Sequence, residues 1–368
     1  MVNLDYASHT PVDEAVLAEF CRVERECGGN ALAAHGLGRV ALDELERATE
    51  GIASLLGVRP DEIIYTSGAS EANNLAIKGI ARAYGYKGKH ILSTCLEHPS
   101  VSGTLAYLQE SGYEIELPKI QPNGKIDLAH LQSAIRPDTI LLCVSAVDSE
   151  LGAIQPLEDI ENVLKEHPNC RLHVDAAQAM GKIPVYVGGA STLCFSPHKF
   201  YGLCGFGVLV KRDGVVLEPL IHGGSGSLYR SGTPSPAMAA ACYRALKIAI
   251  DEMEARLETM RELRQYVLDG VKGFPLIRVN SPPDGSPYIL NLSVKGVKGT
   301  EMQTMLDAQG IAVSVKSACS TDNSPSRPVF AVTGDKKNAM ESWRVSFSHL
   351  TKKPELDRLS QLLPKTCI

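Results

Sequence analysis

Two side chains with the capacity for chemistry stand at the ends of apolar runs. Asp175 follows "RLHV", and Lys199 comes shortly after "TLCFS". Both runs are typical of buried strands, and in open α/β sheets ligands bind beyond the carboxyl ends of the strands. Alone, such an aspartate more often caps the next helix, and a lysine more often lies on a surface loop. Together, an acid and a lysine that can form a Schiff base indicate a site for a carbonyl cofactor.

Three further segments carry groups that bind phosphate. "TSGASEANNLAIKG" follows the strand "EIIY" and opens a helix, so residues 68–70 present backbone N–H groups and a hydroxyl at a helix N-terminus. "FSPHK" adds Ser196 and His198, and "RSGT" at 230–233 is a glycine-containing loop. Any one of these is more often structural, but three in one chain predict a phosphorylated cofactor. Pyridoxal phosphate requires this combination of lysine, acid and phosphate donors.

Alternating apolar and amphipathic segments predict the elements that position these groups. Strand–helix alternation implies an α/β fold with a mostly parallel sheet covered by helices on both faces. Residues 235–273 form one long helical pattern with at most one break, and a compact α+β set follows it. The predicted strands are "DEIIYT", "KHILSTC", "TILLCVSAV", "CRLHVDA", "TLCFS" and "GFGVLVKR"; the predicted helices between them are "SEANNLAIKGIARAYGYK", "SVSGTLAYLQESG" and "LEDIENVLKEHP".

Length and composition bound the possible classes of protein. The 368 residues suffice for two unequal domains, and 44% hydrophobic with 21% charged residues is ordinary for a globular protein. A formal net charge of −5 without a basic tract argues against a nucleic-acid partner. The chain has neither a basic start followed by an apolar stretch nor a run of about 18 apolar residues. We therefore expect a cytoplasmic protein that does not bind membranes.

The ten cysteines are scattered along the chain, with no CxxC pair and no Cys/His cluster of zinc-ligand spacing. No metal site is expected. Cys143, Cys194 and Cys242 lie in apolar runs, which predicts that they are reduced and buried. Cys319, in "KSACSTDNSPSRP", lies among small and polar residues and does not fit that pattern.

Several motifs resemble those of one enzyme family. "HVDAAQ", "SPHKFYG", "TSGASEANNLAIKG", "EHPSV", "SELGAIQP" and "RSGT" resemble the cysteine desulfurases of the NifS/IscS type, in the class V aminotransferase group of fold type I enzymes. The match runs in order from "LDYASHTPVD" to "WRVSFSHLT". It implies a seven-stranded, mostly parallel sheet in a large cofactor-binding domain at 13–243. Residues 1–12 and 244–368 would form a smaller α+β domain.

The resemblance also implies roles for individual residues around pyridoxal phosphate. Lys199 would hold the cofactor aldehyde, while His98 would stack on the ring and help move protons. Asp175 would pair with the pyridine nitrogen, and Gln178 would contact the phenolic oxygen. The implied phosphate ligands are Ala69, Ser70, Ser196, His198 and, from a second subunit of a homodimer, Thr233.

The implied reaction converts L-cysteine to L-alanine. Arg344 would bind the substrate carboxylate through a bidentate pair. Cys319, on a loop of the small domain, would attack the substrate sulfur and carry it as a persulfide. The sulfur would pass to a protein acceptor in iron–sulfur cluster assembly or thiolation.

Several positions depart from the family pattern. "NNE" is "DSE" here, so Ser149 stands at an expected cofactor contact. "HGGGQE" is replaced by "HGGSGSLY", which includes residues 225–227, and "FYGPKG" by "FYGLCG", which introduces Cys204. "GSAC" has become "KSAC". Cys204 either fills a small space in a turn or is a second reactive thiol.

These departures leave two alternatives open. One is another pyridoxal phosphate enzyme of the same fold, such as a selenocysteine lyase, a C–S lyase or an aminotransferase. The other is a weakly active paralogue with a binding role.

Overall fold

The computed structural model describes residues 1–224, 228–316 and 324–363. Within these ranges the main feature is a seven-stranded sheet. Its order is β2-β8-β7-β6-β5-β3-β4, where β2 is Ile63–Thr66, β3 His90–Ser93, β4 Glu114–Glu116, β5 Thr139–Ser145, β6 Arg171–Asp175, β7 Thr192–Phe195 and β8 Gly207–Lys211. β8 is antiparallel to both of its neighbours, β2 and β7, and the other six strands all run in one direction. The predicted α/β fold with a mostly parallel seven-stranded sheet is confirmed.

Two smaller sheets complete the described strands. A parallel pair joins β1 (Val2–Asn3) to β11 (Ile311–Ala312). An antiparallel sheet has the order β12-β10-β9, from Ser342–Ser346, Ile289–Val294 and Ile277–Val279. A bridge between Asp5 and Ser346 ties the N-terminal segment to this sheet.

Twelve α-helices lie in the described ranges. They are α1 (Glu14–Glu26), α2 (Gly36–Leu56), α3 (Ala69–Tyr84), α4 (Pro99–Glu110), α5 (Leu128–Ala134), α6 (Leu157–Leu164), α7 (Pro236–Asp251), α8 (Met253–Val271), α9 (Gly299–Ala308), α10 (Arg327–Thr333), α11 (Lys336–Glu341) and α12 (Lys353–Leu362). The long helical pattern breaks at Glu252, between α7 and α8. The predicted domain boundary after residue 243 falls within α7, and the division into domains stays a prediction.

The central strands are buried on both faces, as a parallel sheet covered by helices requires. All seven residues of β5 are buried, and its side chains alternate between two apolar clusters. Leu141 and Cys143 pack with residues of α3 and α4, whereas Leu142 and Val144 belong to the cluster that includes α1, α2 and α7. Cys143, Cys194 and Cys242 are buried, as predicted.

This layering brings the carboxyl ends of β2, β3, β5, β6 and β7 to one edge of the sheet. The loops that leave those ends begin α3 and α4 and the turn Pro197–Lys199. Candidate chemistry therefore collects at that edge, as expected for an open α/β sheet. None of the helices within the described residues is both long and apolar enough to cross a membrane.

Two helix glycines should respond to alanine with opposite signs. Gly103 in α4 is exposed, and an added Cβ would meet no atom within 4 Å. Gly38 in α2 is buried, and its Cβ would lie 2.0 Å from the Ala33 carbonyl oxygen. Gly103→Ala should raise the free energy of unfolding by about 0.5–1 kcal/mol through helix propensity. Gly38→Ala should lower the free energy of unfolding by more than about 1 kcal/mol, because the backbone at Ala33 must move to make room for the added Cβ. Urea denaturation of both variants decides this, and equal shifts would contradict the packing described.

Candidate active site

A cavity of about 380 Å³ opens at the carboxyl edge of the large sheet. Its walls come from the ends of five strands, the N-terminal segment and β12. It collects most of the residues singled out from the sequence: Ala69, Ser70, His98, Ser149, Asp175, Gln178, Ser196, His198, Lys199 and Arg344. Residues from positions 69 to 344 thus converge on one small volume.

Lys199 ends the turn after β7, and the N-terminal segment holds its amine. Nζ donates to the carbonyl oxygens of Ala7 at 2.9 Å and Ser8 at 2.7 Å. Thr10 secures the same turn, because its N–H donates to His198 O and its hydroxyl accepts from Tyr201 N–H. Tyr201 has φ 69°, a conformation that is uncommon for a residue other than glycine. The lysine is therefore fixed by backbone contacts from a distant part of the chain.

Gln178 is oriented from both sides. Its Nε2 donates to Ala7 O at 2.9 Å, and its Oε1 accepts from Lys182 Nζ at 2.8 Å. Burial holds the pKa of the Lys182 ammonium well below its usual value. With one amide N–H engaged by Ala7, the second N–H of Gln178 is the group it can present to the cavity.

Asp175 ends β6 with its carboxylate buried. Oδ2 accepts from Asn73 Nδ2 at 2.8 Å, and Oδ1 accepts from the Ala177 N–H at 2.9 Å. Asn73 lies on the buried face of α3, and its Oδ1 faces His173 Nε2 at 2.8 Å. A buried carboxylate that is held by two donors is placed to accept a hydrogen bond from a protonated ring nitrogen.

His98 caps α4 and lines the cavity. Its Nδ1 accepts from the Ser100 N–H at 3.1 Å and lies 2.8 Å from Ser100 Oγ. Burial lowers the pKa of His98, with Asp175 opposing that effect and Lys199 adding to it. His98 is therefore a neutral imidazole near pH 7.

The opposite end of the cavity has the chemistry of a phosphate site. The N–H of Ala69, the first residue of α3, donates to Ser196 Oγ at 2.6 Å, which leaves the Ser196 O–H to donate elsewhere. Burial lowers the pKa of His198 to about 4, and its buried Nδ1 has no hydrogen-bond partner among the residues that the structure describes. A helix N-terminus, two serine hydroxyls and an orphaned imidazole nitrogen match the needs of a phosphate dianion.

Backbone packing fixes the shape of this phosphate end. A Cβ on Gly207, at the start of β8, would lie 2.6 Å from the backbone of Gly68. Glu71 accepts from the Ser67 N–H and pairs with Arg230 at 3.0 Å. The loop before α3 is thereby pressed against β8 and linked to the 230–233 segment.

Arg344 projects from β12 with 1% of its surface exposed. Its Nη1 donates to Ser149 O at 2.7 Å, and its Nη2 donates to Asp5 Oδ1 at 2.7 Å and Ser8 Oγ at 2.8 Å. Its Nε has no partner within the parts of the chain that the structure describes. A guanidinium that lines a cavity and is held in place by these contacts is suited to an incoming carboxylate.

Three buried acids lie behind the cavity wall at Ser149. Glu97 accepts from Thr94 and Ser145, and burial raises its pKa to about 7. Asp148 accepts two backbone N–H groups through Oδ1, while its buried Oδ2 has no partner within the described ranges. Burial, followed by the charge of Glu150, raises the pKa of Asp148 to about 7. Asp148 is one of the two departures in the "DSE" motif.

Some sequence predictions fall outside this cavity. Thr233 is exposed and does not line it. Cys319 and residues 225–227 lie outside the described residues. Cys204 is exposed and lines the cavity. No group of His, Cys, Asp or Glu that could hold a metal was found among the described residues.

The sequence did not reveal the residues that hold the site's side chains in place. Ala7 and Ser8 act partly through carbonyl oxygens, which leave no residue-type signal. Asn73 and Ser100 are polar positions in predicted helical segments, where a solvated face is the default interpretation. Their proximity to the strand ends was the one available signal.

Comparison with known proteins gives one consistent family. The family described as aminotransferase class-V matches residues 2–359. Relatives named "Cysteine desulfurase IscS" are 36% identical in Dictyoglomus turgidum, over 99% of this chain and 94% of the relative, and 37% identical in Neisseria meningitidis, over 98% and 91%. A solved "NIFS-LIKE PROTEIN" superposes with a TM-score of 0.93 at 31% identity, covering 99% of this chain and 98% of that one. "SspA in complex with cysteine" has a TM-score of 0.83 at 31% identity, covering 95% and 99%.

Removing the hydroxyl at the phosphate end should weaken phosphate binding. Ser196→Ala deletes both the acceptor for the Ala69 N–H and a donor to the anion, so the dissociation constant for pyridoxal phosphate should rise at least about tenfold. Absorbance titration of the apoprotein measures it. Ser191→Ala, at the other end of β7, removes an acceptor from Leu172 N–H and is the matched control. Equal affinities in both variants would contradict this phosphate site.

The buried acid at Asp148 makes stability depend on pH. The pKa of Asp148 in the folded state, about 7, lies above its ordinary value of 3.8. The stability that the neutral carboxyl contributes is therefore intact below pH 3.8 and is lost as pH rises through 7. Asp148→Asn keeps the shape of the neutral acid. It should leave stability unchanged at pH 4 and raise it by about 2–4 kcal/mol at pH 8. Urea midpoints at both pH values test this, and an equal change at both would refute it.

Proposed function

The chain belongs to the class-V aminotransferase family, and from that premise we propose that it is a pyridoxal-phosphate-dependent cysteine desulfurase. The observation that carries the proposal is the convergence of Lys199, Asp175, the phosphate end and Arg344 on one cavity. Relatives at 36% and 37% identity over nearly the whole chain bear that name. A solved neighbour at 31% identity is described in complex with cysteine.

The residues present fit pyridoxal phosphate. Ser70, Ser196, His198 and the first N–H groups of α3 would hold its phosphate, and the Asp175 carboxylate would hold its ring nitrogen. Gln178 would donate to the phenolic oxygen through its second amide N–H, and Lys199 Nζ would bind the aldehyde carbon. When bound, this cofactor supplies an electron sink for negative charge at the substrate Cα.

Side chains of the protein would bind the substrate carboxylate and transfer the proton at Cα. Arg344 would bind the L-cysteine carboxylate through its guanidinium, while Asp5 and Ser149 keep that group in place. Lys199 Nζ would take and return a proton at the substrate Cα. Its two backbone acceptors, Ala7 O and Ser8 O, keep the amine at one wall of the cavity.

Sulfur transfer is assigned to Cys319 from the resemblance. Its thiolate attacks the substrate sulfur, the Cβ–S bond breaks and an S–S bond forms on the enzyme. The carbon skeleton leaves as L-alanine after protonation. The persulfide sulfur then passes to an acceptor, which we propose is a protein of iron–sulfur cluster assembly or thiolation.

A homodimer forms part of the proposal. Thr233 is exposed and is not among the residues that line the cavity of its own chain, and Arg230 links its loop to Glu71 beside the phosphate end. A second subunit that contributes Thr233 would complete the phosphate ligands. A cytoplasmic location is likewise a prediction.

Product analysis tests the function directly. The cofactor-loaded protein, given L-cysteine and a reducing thiol, should release alanine and sulfide in equal amounts. Lys199→Ala and Cys319→Ala should each reduce both products at least about 100-fold, because each removes a group that reacts. Cys319→Ala should still bind the cofactor.

Cys204→Ala is the matched control for Cys319→Ala. Retained activity would assign sulfur transfer to Cys319, whereas loss in Cys204→Ala alone would move that role to the second thiol. Wild type that binds the cofactor but yields no alanine would overturn the desulfurase proposal. Parallel incubation with selenocysteine would then test the lyase alternative.

A further inference from the structure

A continuous chain of hydrogen bonds runs behind the cavity from His173 to His98. His173 Nε2 lies 2.8 Å from Asn73 Oδ1, and Asn73 Nδ2 lies 2.8 Å from Asp175 Oδ2 and 2.9 Å from Ser100 Oγ. Ser100 Oγ in turn lies 2.8 Å from His98 Nδ1. Asn73 has no exposed surface and is the branch point of this chain.

The carboxylate of Asp175 fixes the orientation of the Asn73 amide. Only an N–H can face Asp175 Oδ2, so Nδ2 donates one hydrogen there and the other to Ser100 Oγ. Asn73 Oδ1 then accepts from His173 Nε2–H and from the Cys194 thiol, which is 2.9 Å away. His173 Nδ1 is left as the acceptor of the Thr192 hydroxyl at 2.9 Å. Burial lowers the pKa of His173 to about 4, in agreement with this neutral form.

Ser100 connects the Asn73 amide to the His98 ring and determines which ring nitrogen of His98 accepts a hydrogen bond. Because Ser100 Oγ already accepts from Asn73, its own hydrogen is donated to His98 Nδ1. The backbone N–H of Ser100 donates to the same nitrogen at 3.1 Å. An imidazole nitrogen that receives two donors carries no hydrogen, so the proton of neutral His98 lies on Nε2.

We propose that Asn73 and Ser100 are positioning residues that hold His98 as the neutral Nε2–H tautomer, so that His98 meets the cavity as a hydrogen-bond donor and not as a base. The Asn73 amide also donates to Asp175, so the orientation of this one amide determines the hydrogen bonding of both Asp175 and His98. Lys199 is then the group left to accept the Cα proton. That last consequence rests on the proposed function, whereas the tautomer does not.

The tautomer can be measured in the apoprotein without any turnover. Nitrogen-15 NMR of protein labelled in its histidine rings should show an unprotonated Nδ1 and a protonated Nε2 for His98 near pH 7. His98→Gln identifies the signals by their loss. A protonated Nδ1, or a doubly protonated ring at that pH, would overturn the proposal whatever the protein's activity.

Asn73→Asp tests the role of the amide. An aspartate of the same shape cannot donate to Asp175, and it draws the Ser100 hydroxyl away from His98. The ring signals of His98 should move toward a mixture of tautomers, and the absorbance band of bound cofactor should shift. Asn74→Asp is the matched control, because Asn74 is the next residue of α3 and its Nδ2 instead donates to Ser70 O at 3.0 Å. Identical spectra for Asn73→Asp and wild type would refute the role of Asn73.

Ser100→Ala tests whether the hydroxyl positions His98 without disturbing the fold around it. It removes the hydroxyl link but keeps the backbone N–H to Nδ1 and the bond between Asn73 and Asp175. We expect kcat for cysteine to fall about tenfold with KM changed less than about twofold. If Asn73→Asp does not fold, the wild-type ring spectrum and Ser100→Ala still decide the proposal. Unchanged kcat in Ser100→Ala would contradict the function of the link.

Discussion

The buried carboxylate of Asp175 is the constraint on which the site depends. A charge at the end of a central strand costs several kcal/mol unless donors satisfy it. Ala177 supplies one donor through the backbone, and Asn73 supplies the other from α3. Because Asn73 must reach Asp175, the register of α3 against the sheet is fixed. The helix N-terminus at Ala69 is thereby placed at the phosphate end of the same cavity.

The second constraint is closure of the cavity by a segment that belongs to the other sheets. Residues 5–10 pass beside β12 and over the turn of Lys199, and they contribute carbonyl oxygens to Lys199 and Gln178. Asp5 also neutralises Arg344, whose buried charge needs a partner. The Lys199 end and the Arg344 end of the cavity are therefore held in register by one short segment, which includes a turn at residues 6–8. Displacement of that segment would disturb both ends together.

The hydrophobic pattern predicted most of the large sheet, because strands that are buried on both faces leave continuous apolar runs. It predicted the helical stretch at 235–273 but not the position of its break at Glu252. The acid and lysine were predicted from their places at strand ends. His98, Gln178 and Arg344 came only from the resemblance, since their neighbours in sequence do not reveal which side chains meet in space. Asn73 could not be distinguished from Asn74 by sequence alone. The contribution of Ala7 is invisible in principle, because any residue provides the same carbonyl oxygen.

The departure from the family pattern at positions 148 and 149 leaves the guanidinium of Arg344 anchored. Arg344 donates to the backbone oxygen of Ser149, so any residue there preserves that bond. What changes is the wall of the cavity: a serine hydroxyl is shorter than an asparagine amide and leaves more room beside the guanidinium. The neighbouring Asp148 introduces a carboxyl that burial keeps largely protonated below pH 7. Positions 148 and 149 therefore set the space and polarity next to Arg344, while the arginine itself is anchored through the backbone oxygen of Ser149 and the side chains of Asp5 and Ser8.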